Sequence, residues 1–236
     1  MAITKYQHYQ YACIIMLALA IGSASWAAGD EMSTNPETIM IIDLPTPRKD
    51  GAMSVEAALA NRRSVREYSS APLTLGEASQ LLWAAQGVTS SDGKRTAPSA
   101  GATFPLETYL AAGNVTGLAA GLYKYQPDGH KLKRVDSSDL RAALSGAAYG
   151  QEWVNKAPVS IVLTAVYQRT TRRYRQDGIA YAHMEAGHAA QNVYLQSAAM
   201  NMGTVIVGAF DAARVKSALK LASDETPLAI LPVGRR

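Results

Sequence analysis

The stretch NRRSVREYSSAPLTLGEASQLLWAAQG, residues 61–87, joins a cluster of positive charge to an amphipathic helix. Arg62, Arg63 and Arg66 fall within five positions, with Ser64 between them. Guanidinium forks and a hydroxyl match the oxygens and the charge of a phosphate monoester. Because alternate residues of an extended chain point the same way, Ser64 and Arg66 can share one face. The cluster therefore predicts an anion site; the alternative is a solvated helix end whose arginines pair with nearby glutamates.

The second half of this stretch predicts a capped helix that continues to Gly87. Thr74 and Glu77 have the Thr-x-x-Glu spacing of a capping box, in which each side chain satisfies a backbone N–H group of the first turn. Leu81 and Leu82 lie on its apolar face, and a glycine suits its end.

A shorter helix is predicted just before the arginines. Ser54 can cap it, and Val55, Ala58 and Leu59 form its apolar stripe. The two helices therefore flank the arginine cluster on both sides.

Patterns farther along the chain predict a central sheet surrounded by helices. Alternating or continuous apolar runs and a turn at Asp128-Gly129 indicate β-structure, whereas helical spacing indicates helices. The predicted strands are 106–112, 159–166, 204–210 and 227–234, with a hairpin at 121–135, and the predicted helices are 138–149, 179–201 and 211–220. The helix 179–201 is apolar or small almost all round, so it should be central or covered by a second subunit. Gly187 within it suggests the close approach of another backbone or a ligand.

The composition excludes several classes of protein. Hydrophobic residues make up 48% and charged residues 18% of the 236 residues, which is typical of a globular protein with one sizeable core. The net charge of +4 comes from small separate groups, which argues against nucleic-acid binding. The sequence lacks the GxGxxG and GxxxxGK[ST] phosphate loops and the GxSxG elbow. His183 and His188 diverge by about 140° on the long helix, which predicts no metal site.

The first 28 residues have the order of a secretory signal peptide. Lys5 precedes the apolar run 12–21, and small residues follow up to Ala27 and Ala28. We predict export to the periplasm with cleavage near Ala27/Ala28, then an extended arm over 29–50 and one domain over 51–236. The alternative is an uncleaved signal, which would be the only membrane contact. Cys13, the only cysteine, precedes the cleavage site, so the mature chain would have no disulfide or thiolate chemistry.

Several motifs resemble, in order, those of the flavin-dependent nitroreductase family. They are RRSVREYSSAPLTLGEASQLLWAAQGV, RTAPSAGATFPLETYLAA, GLYKYQPDGHKL, EAGHAAQNVYLQSAAMNMGTVIVGAF and PLAILPVG, and they cover about residues 41–236. They are most similar to the branch of SagB-type dehydrogenases and thiazole oxidases. The resemblance implies an α+β fold with a central, mixed, mostly antiparallel sheet flanked by helices. It also implies a homodimer that binds FMN at the subunit interface.

The resemblance further implies which residues bind FMN. The arginine cluster would bind the phosphate and ribityl chain, the loop 98–100 would lie against the isoalloxazine ring, and a late strand would back that ring. The chain's last arginines would reach the phosphate. The implied cofactor-binding residues are Arg62, Arg63, Ser64, Arg66, Pro98, Ser99, Ala100, Gly203, Thr204, Gly208, Arg235 and Arg236. Gln191 and Asn192 would belong to the helix that forms much of the dimer interface.

Two features depart from the family pattern. Azoline-oxidising members have a Lys-Tyr pair before the long helix, where this chain has Arg173-Tyr174. Because an arginine is effectively never deprotonated, Tyr174 is the one catalytic candidate, and azole formation is in doubt; the alternative for Tyr174 is a loop aromatic. Export would also separate the enzyme from cytoplasmic nicotinamide, so another electron donor would be needed.

The sequence therefore leaves three functions open. The first is an exported FMN-dependent oxidoreductase that acts on a small molecule or a peptide. The second is a flavin-binding or flavin-free module without redox turnover, and the third is a peptide azoline dehydrogenase.

Overall fold

The computed structural model describes residues 40–236, so the predicted signal peptide, Cys13 and most of the predicted arm lie outside the described residues. Within 40–236 the chain forms nine strands and seven α-helices. The strands are β1 Ile41–Asp43, β2 Leu73–Thr74, β3 Leu106–Ala112, β4 Val115–Thr116, β5 Gly121–Gln126, β6 Lys131–Asp136, β7 Val159–Val166, β8 Met202–Thr204 and β9 Glu225–Arg235. The helices are α1 Val55–Asn61, α2 Leu75–Gln86, α3 Arg141–Ala147, α4 Glu152–Lys156, α5 Gln168–Tyr174, α6 Asp177–Ala199 and α7 Ala212–Ala218.

Seven strands form one sheet in the order β1-β6-β5-β3-β7-β9-β8, and every pair in it is antiparallel. The strands β2 and β4 form a separate parallel pair. The interior strand β7 is buried along almost its whole length, as its continuous apolar run predicts. The mostly antiparallel sheet flanked by helices confirms the predicted fold class.

Alternate residues of β3 face two different cores, because side chains of a strand point to opposite sides of the sheet. Leu106 and Leu110 pack in the core that contains residues of α2 and α6. Tyr109 and Ala111 pack in the core that contains residues of α3, α4 and α7. The long helix α6 therefore lies on one face of the sheet, and the segments predicted to bind a cofactor contact it.

The local predictions around α1 and α2 are confirmed by their cap hydrogen bonds. Ser54 Oγ accepts the Ala57 N–H group at 3.1 Å. Thr74 Oγ1 accepts the Glu77 N–H group at 3.2 Å, and the Glu77 carboxylate accepts the Thr74 N–H group at 2.7 Å, which completes the capping box. Helix α2 ends at Gln86, and Gly87 is its C-cap, as the sequence predicts.

The predicted strand 204–210 is wrong over most of its length. Only Met202–Thr204 pairs continuously with β9, and beyond it a single bridge joins Val207 to Ile230. The register of these pairs places Val205 opposite Pro232, which has no N–H group to donate. The proline therefore interrupts the ladder at this point.

Two helix faces that the sequence predicts to be covered are open within residues 40–236. On α1 only Ala58 is buried, whereas Val55 and Leu59 are exposed. On α6 a Cβ atom added to Gly187 would meet no atom within 4 Å, so no other backbone of residues 40–236 approaches it closely. Both faces would be explained if a second molecule covered them.

Three smaller differences concern the helices. The predicted helix 138–149 is shorter, Arg141–Ala147, and α4 and α5 were not expected. None of the helices in residues 40–236 combines the length and the apolar character needed to cross a bilayer.

Candidate functional site

The segment 62–69, which carries the arginine cluster and is called the arginine segment below, lies along the edge of the sheet formed by β8 and the end of β9. Ser64 forms a parallel bridge with Thr204, and the Val65 N–H group donates to Thr204 O at 2.9 Å. Farther along, the Ser69 N–H group donates to Arg235 O at 3.0 Å. These bonds hold the extended segment 64–69 against two strands that the sequence also implicated.

Glycines in both strands make this close approach possible. A Cβ atom on Gly203 would lie 2.5 Å from Val65 Cγ1, and one on Gly234 would lie 2.8 Å from Tyr68 Cβ. The neighbour that Gly203 accommodates in this chain is thus the arginine segment. A Cβ atom on Gly208, by contrast, would meet nothing within 4 Å.

Thr204 is buried beneath the same segment. Its hydroxyl donates to Pro232 O at 2.8 Å, and its backbone oxygen accepts from Val65. The structure therefore brings Thr204 to the arginine segment, where its polar atoms are already bonded within the chain.

The guanidinium groups of Arg62, Arg63 and Arg66 have no carboxylate partner among residues 40–236. Arg62 lies over the Tyr194 ring at 5.3 Å, and Arg66 lies over the Trp153 ring at 5.6 Å. The alternative in which these arginines pair with neighbouring glutamates does not hold in this structure. Arg63 Nη1 donates to two backbone oxygens at the end of α1, at 2.9 and 2.7 Å. No carboxylate of residues 40–236 neutralises the charge of any of the three, so this charge is available to an anion.

Tyr194 on α6 organises this surface and was missed from the sequence. Its hydroxyl lies 3.1 Å from Ser64 Oγ and accepts the Ile206 N–H group at 2.9 Å. It therefore links the hydroxyl of the arginine segment to α6 and to the chain after β8. An aromatic residue in a largely apolar helix carries no sequence signal that distinguishes this role from packing.

Arg235, which the resemblance assigns to the FMN phosphate, pairs with a carboxylate of its own chain. Its Nη2 donates to both carboxylate oxygens of Glu77, at 2.8 and 2.9 Å, and its Nε donates to Pro72 O at 3.2 Å. Arg235 thus joins the sheet to the capping box of α2. A phosphate role for Arg235 stays a prediction, and it would require exchange of this ion pair. Arg236 is exposed.

The second predicted region, loop 98–104, has a strained backbone. Ala102 and Phe104 have φ of 54° and 44°, in the left-handed region that non-glycine residues rarely occupy. Such residues persist where the surroundings hold them, and they cluster at functional sites. Pro98 is exposed, and Ala100 begins a 3-10 turn in which Gly101 also has positive φ, 58°.

Three contacts hold Phe104 in this conformation. Its N–H group donates to Ser99 Oγ at 2.9 Å. Its carbonyl oxygen accepts from Arg169 Nη1 at 3.0 Å, and its ring lies 4.3 Å from the Arg95 guanidinium. Ser99, which the resemblance places against the isoalloxazine ring, therefore also helps to fix the conformation of this loop.

Glu185 lies beneath this loop, on α6, and is 2% exposed. Burial raises the pKa of its carboxyl to about 7, while Ser99, Arg95 and Gln86 oppose the rise. Gln86 is close enough to lower the pKa of this carboxyl. However, Gln86 Nε2 and Glu185 Oε1 both lack a hydrogen-bond partner among the described residues. Gln86 Oε1 accepts from Arg95 Nη1 at 2.8 Å. The group was not predicted, because its burial depends on the tertiary fold.

Tyr174 lies against the same loop. It ends helix α5, so the alternative of a loop aromatic is wrong. A Cβ atom on Gly101 would lie 2.6 Å from the Tyr174 hydroxyl, and Arg173 Nη1 donates to Gly101 O at 3.2 Å. A phenol in this position could exchange a proton with a molecule held at the loop. No cluster of three metal-ligating side chains occurs in residues 40–236.

The two predicted regions lie on opposite sides of α6 within one chain. Glu185 beneath the loop and Tyr194 beside the arginines are nine residues apart. They therefore project about 180° apart and about 14 Å apart along the axis. The helix face between them is exposed; it includes Gly187 and Gln191, with Met184 at 59% exposure. One chain does not bring the two regions together, and Asn192 bonds within its own chain, donating to Thr96 O at 3.2 Å.

Comparison with known proteins places this architecture in a family. Residues 59–235 match the model of the nitroreductase family. The chain is 46% identical, over 184 residues, to a Methanocaldococcus jannaschii protein named as a nitroreductase; the match covers 78% of this chain and 92% of that protein. The structure of a Ralstonia eutropha JMP134 protein, also named as a nitroreductase, superposes with a TM-score of 0.73 at 34% identity, over 83% of this chain and 89% of that one.

A more distant structure shares the fold alone. The NADPH:FMN oxidoreductase of Vibrio harveyi, solved with NAD⁺, superposes with a TM-score of 0.56 at 20% identity and covers 77% of this chain and 68% of that one. The family match spans both the arginine segment and the loop 98–104. The chain therefore belongs to the nitroreductase family.

Proposed function

We propose that this protein is an exported, FMN-dependent oxidoreductase that works as a homodimer on a small-molecule or peptide substrate. The observation that carries the proposal is the positive charge of Arg62, Arg63 and Arg66 beside Ser64, which no carboxylate of residues 40–236 neutralises. Guanidinium groups without a carboxylate partner, next to a hydroxyl, suit a phosphate monoester, which is the anionic end of FMN.

The residues of this chain also suit the other end of FMN. A planar ring needs a slot with small side chains and close backbone, which the loop 98–104 offers. A bound flavin supplies transfer of a hydride or of single electrons between a donor and an acceptor. The chain's own residues bind the phosphate, shape the loop and keep the Tyr174 hydroxyl beside it. The distant Vibrio harveyi relative, which is named for FMN, supports the choice of cofactor.

A homodimer follows from the positions of the two regions on α6. Since the arginines and the loop lie on opposite sides of the helix in one chain, a cofactor that contacts both must draw them from different subunits. Exposed apolar side chains support such an interface: Met184 on α6 and Val55 and Leu59 on α1. A partner would also cover the open space at Gly187.

Proton transfer falls to Tyr174 in this proposal. Its hydroxyl lies against Gly101 in the loop, whereas the guanidinium of Arg173 is effectively always protonated and cannot act as a base. Tyr174 can therefore relay a proton while Arg173 anchors the loop through Gly101 O.

The proposed export restricts which electron donors the enzyme can use. The order of residues 1–28 suggests a cleaved signal, which would deliver the enzyme to a compartment without the cytoplasmic nicotinamide pool. A donor other than NAD(P)H is therefore expected. The SagB-type branch remains our preferred place within the family, on the motifs of the sequence.

Substitution of Arg66 tests the phosphate site. Arg66→Ala should weaken FMN binding about 10- to 100-fold, because a charge-assisted hydrogen bond to a phosphate contributes roughly 1.5–3 kcal/mol. The dissociation constant is measured by titrating the protein into FMN and following flavin fluorescence. Arg214→Ala on α7 removes an exposed arginine outside the predicted site and should leave binding unchanged. Equal affinity of Arg66→Ala and the parent protein would contradict the phosphate role.

A second candidate is a flavin-binding module without turnover. Arginine at position 173, where azoline-oxidising relatives have lysine, favours it over a peptide azoline dehydrogenase. Reduction of the bound flavin with dithionite, followed by a dye or a nitroaromatic compound, separates the candidates. Repeated substrate-driven turnover supports the oxidoreductase, and flavin that stays reduced supports the module.

A further inference from the structure

Helix α5 is hydrogen-bonded to the loop 98–104 through three of its side chains. The contacts are Arg169 Nη1 to Phe104 O at 3.0 Å, Thr170 Oγ1 to Thr103 Oγ1 at 2.8 Å, and Arg173 Nη1 to Gly101 O at 3.2 Å. The three residues of α5 are at positions i, i+1 and i+4, so they lie within about 100° of one another around the helix. One side of α5 therefore covers the loop.

The direction of the bond between the two threonines follows from the other bond of Thr103. The Thr103 hydroxyl donates its single proton to Ala100 O at 2.9 Å. Thr170 Oγ1 is therefore the donor to Thr103 Oγ1. Since Thr170 is 1% exposed, this bond lies in the interior of the molecule. All three side chains of α5 thus donate to oxygen atoms of the loop.

The backbone amides of the loop, by contrast, are bonded within the loop. The N–H groups of Ala102 and Thr103 donate to Ser99 O and Ala100 O, at 3.1 and 3.2 Å, and the Phe104 N–H group donates to Ser99 Oγ at 2.9 Å. Ala102 and Phe104 have positive φ, which is unfavourable unless other contacts compensate for it. The internal amide bonds and the bonds from α5 therefore stabilise the same unfavourable backbone.

Arg169 is itself held by the sheet. Its Nη2 donates to the carboxylate of Glu107 on β3, which also pairs with Lys124 on β5 at 3.2 Å. One guanidinium therefore joins the Phe104 carbonyl to the sheet through two separate nitrogen atoms. Because a planar guanidinium presents its donors in a fixed geometry, the carboxylate sets the direction of the bond to the loop.

The position of α5 is fixed by close packing against the first turn of α6. A Cβ atom on Gly178 would lie 2.8 Å from Thr171 N and 2.9 Å from Thr170 C, so the approach of the two helices requires a glycine there. Tyr174, whose hydroxyl lies against Gly101, is the last residue of α5. The helix that is bonded to the loop therefore also carries the proposed proton relay.

We propose that α5 fixes the conformation of the loop 98–104, and that Arg169 is its principal positioning residue. Arg169 acts on a bound ligand only through Phe104. The loop is the expected contact of the isoalloxazine ring, so the relevance of this role to catalysis rests on the proposed function. With a flavin bound there, α5 sets both the shape of the ring's slot and the place of the Tyr174 hydroxyl beside it.

Hydrogen exchange of the flavin-free protein, measured by NMR, tests the inference. The reporting amides are those of Ala102, Thr103 and Phe104, because no variant on α5 removes their acceptors directly. Arg169→Ala should accelerate their exchange about 3- to 10-fold, since a hydrogen bond that stabilises the loop is lost. Thr170→Val keeps the shape of the side chain without the hydroxyl and should accelerate it at least about threefold.

Arg172→Ala is the matched control, since Arg172 is an exposed arginine of α5 that makes no hydrogen bond to the loop within residues 40–236. Its exchange should match that of the parent. Because the Arg169 side chain is 41% exposed, Arg169→Ala should move the midpoint of urea unfolding by less than about 0.5 M.

Three results would overturn the inference. The first is exchange at the parent's rate in Arg169→Ala or in Thr170→Val. The second is exchange in Arg172→Ala that is as fast as in Arg169→Ala. The third is a loss of global stability that accounts for the whole acceleration, because exchange would then report unfolding of the chain and not a change in the loop.

The same proteins are titrated with FMN. Arg169→Ala should bind FMN about 3- to 10-fold more weakly, because the ligand must then order the loop, whereas Arg172→Ala should bind it like the parent. Equal affinity of all the variants would contradict the role of α5 at the cofactor site. Absence of FMN binding in the parent would sink the proposed function. The exchange result would then still decide whether α5 fixes the loop.

Discussion

At the scale of single residues, the arginines differ in whether a carboxylate neutralises them. Arg62, Arg63 and Arg66 have no carboxylate partner in residues 40–236, whereas Arg235 makes two bonds to Glu77. The sequence shows the same residue type in both places. Which arginine is free depends on the fold, because Glu77 and Arg235 are 158 positions apart.

Glu185 makes the stability of the protein depend on pH. Its pKa is raised by burial from 4.5 to about 7, so the neutral form stabilises the fold below about pH 4.5, and this contribution is lost as the pH rises to about 7. Glu185→Gln should therefore unfold like the parent at about pH 4, below the unfolded pKa. Near pH 8 it should be more stable by roughly 1–3 kcal/mol.

Urea unfolding at both pH values, followed by circular dichroism, measures this difference. If the variant is less stable than the parent by the same amount at both pH values, the pKa of Glu185 is the same in the folded and unfolded protein, and the prediction is wrong. No sequence pattern predicts this residue, since a glutamate on an otherwise small-residue helix face is ordinarily solvated.

At the scale of elements, the sequence predicts features made by residues close together in the chain. It does not predict how far a strand pairs with a strand distant in the chain. The capping box of α2 forms from residues three apart, so the sequence predicted it in full. The strand after α6 depends on Pro232, which lies on another strand and lacks the N–H group that Val205 would need. Apolar character alone therefore predicted a strand that is too long.

Gly203 and Gly208 test how the arginine segment is held on the sheet. Gly203→Ala places a Cβ atom 2.5 Å from Val65 Cγ1, so it should displace the segment and destabilise the fold by about 1–3 kcal/mol. It should also weaken FMN binding through the same displacement. Gly208→Ala has open space and should be neutral, or stabilising by less than about 1 kcal/mol. Thermal unfolding of both variants and FMN titration of Gly203→Ala measure this; equal stability of the two variants would contradict the role of Gly203.

At the scale of the whole molecule, our proposal completes the site with a second copy of the chain. The family resemblance implied both halves of the site. It could not show that α6 separates them in one chain, because that follows from the position of each half around the helix. The exposed face with Met184 lies between them.

Charge placed on this face should therefore abolish the dimer and weaken flavin binding. Met184→Glu is expected to give a monomer with at least about tenfold weaker FMN affinity, because a buried unpaired charge is strongly unfavourable at an interface. Ile41→Glu, on the edge strand β1, alters another exposed apolar residue and should leave both properties unchanged. Light scattering gives the mass of each variant. A monomeric Met184→Glu protein that binds FMN with full affinity would show that the site lies within one chain.

The most direct test of the account is the visible absorption spectrum of the purified protein after incubation with FMN and removal of free flavin, with the mass measured on the same sample. The account predicts retained flavin absorption on a dimer, with one FMN per subunit. A colourless protein, or flavin retained by a monomer, would contradict the claim that the free arginines of one subunit and the loop 98–104 of its partner form a single site.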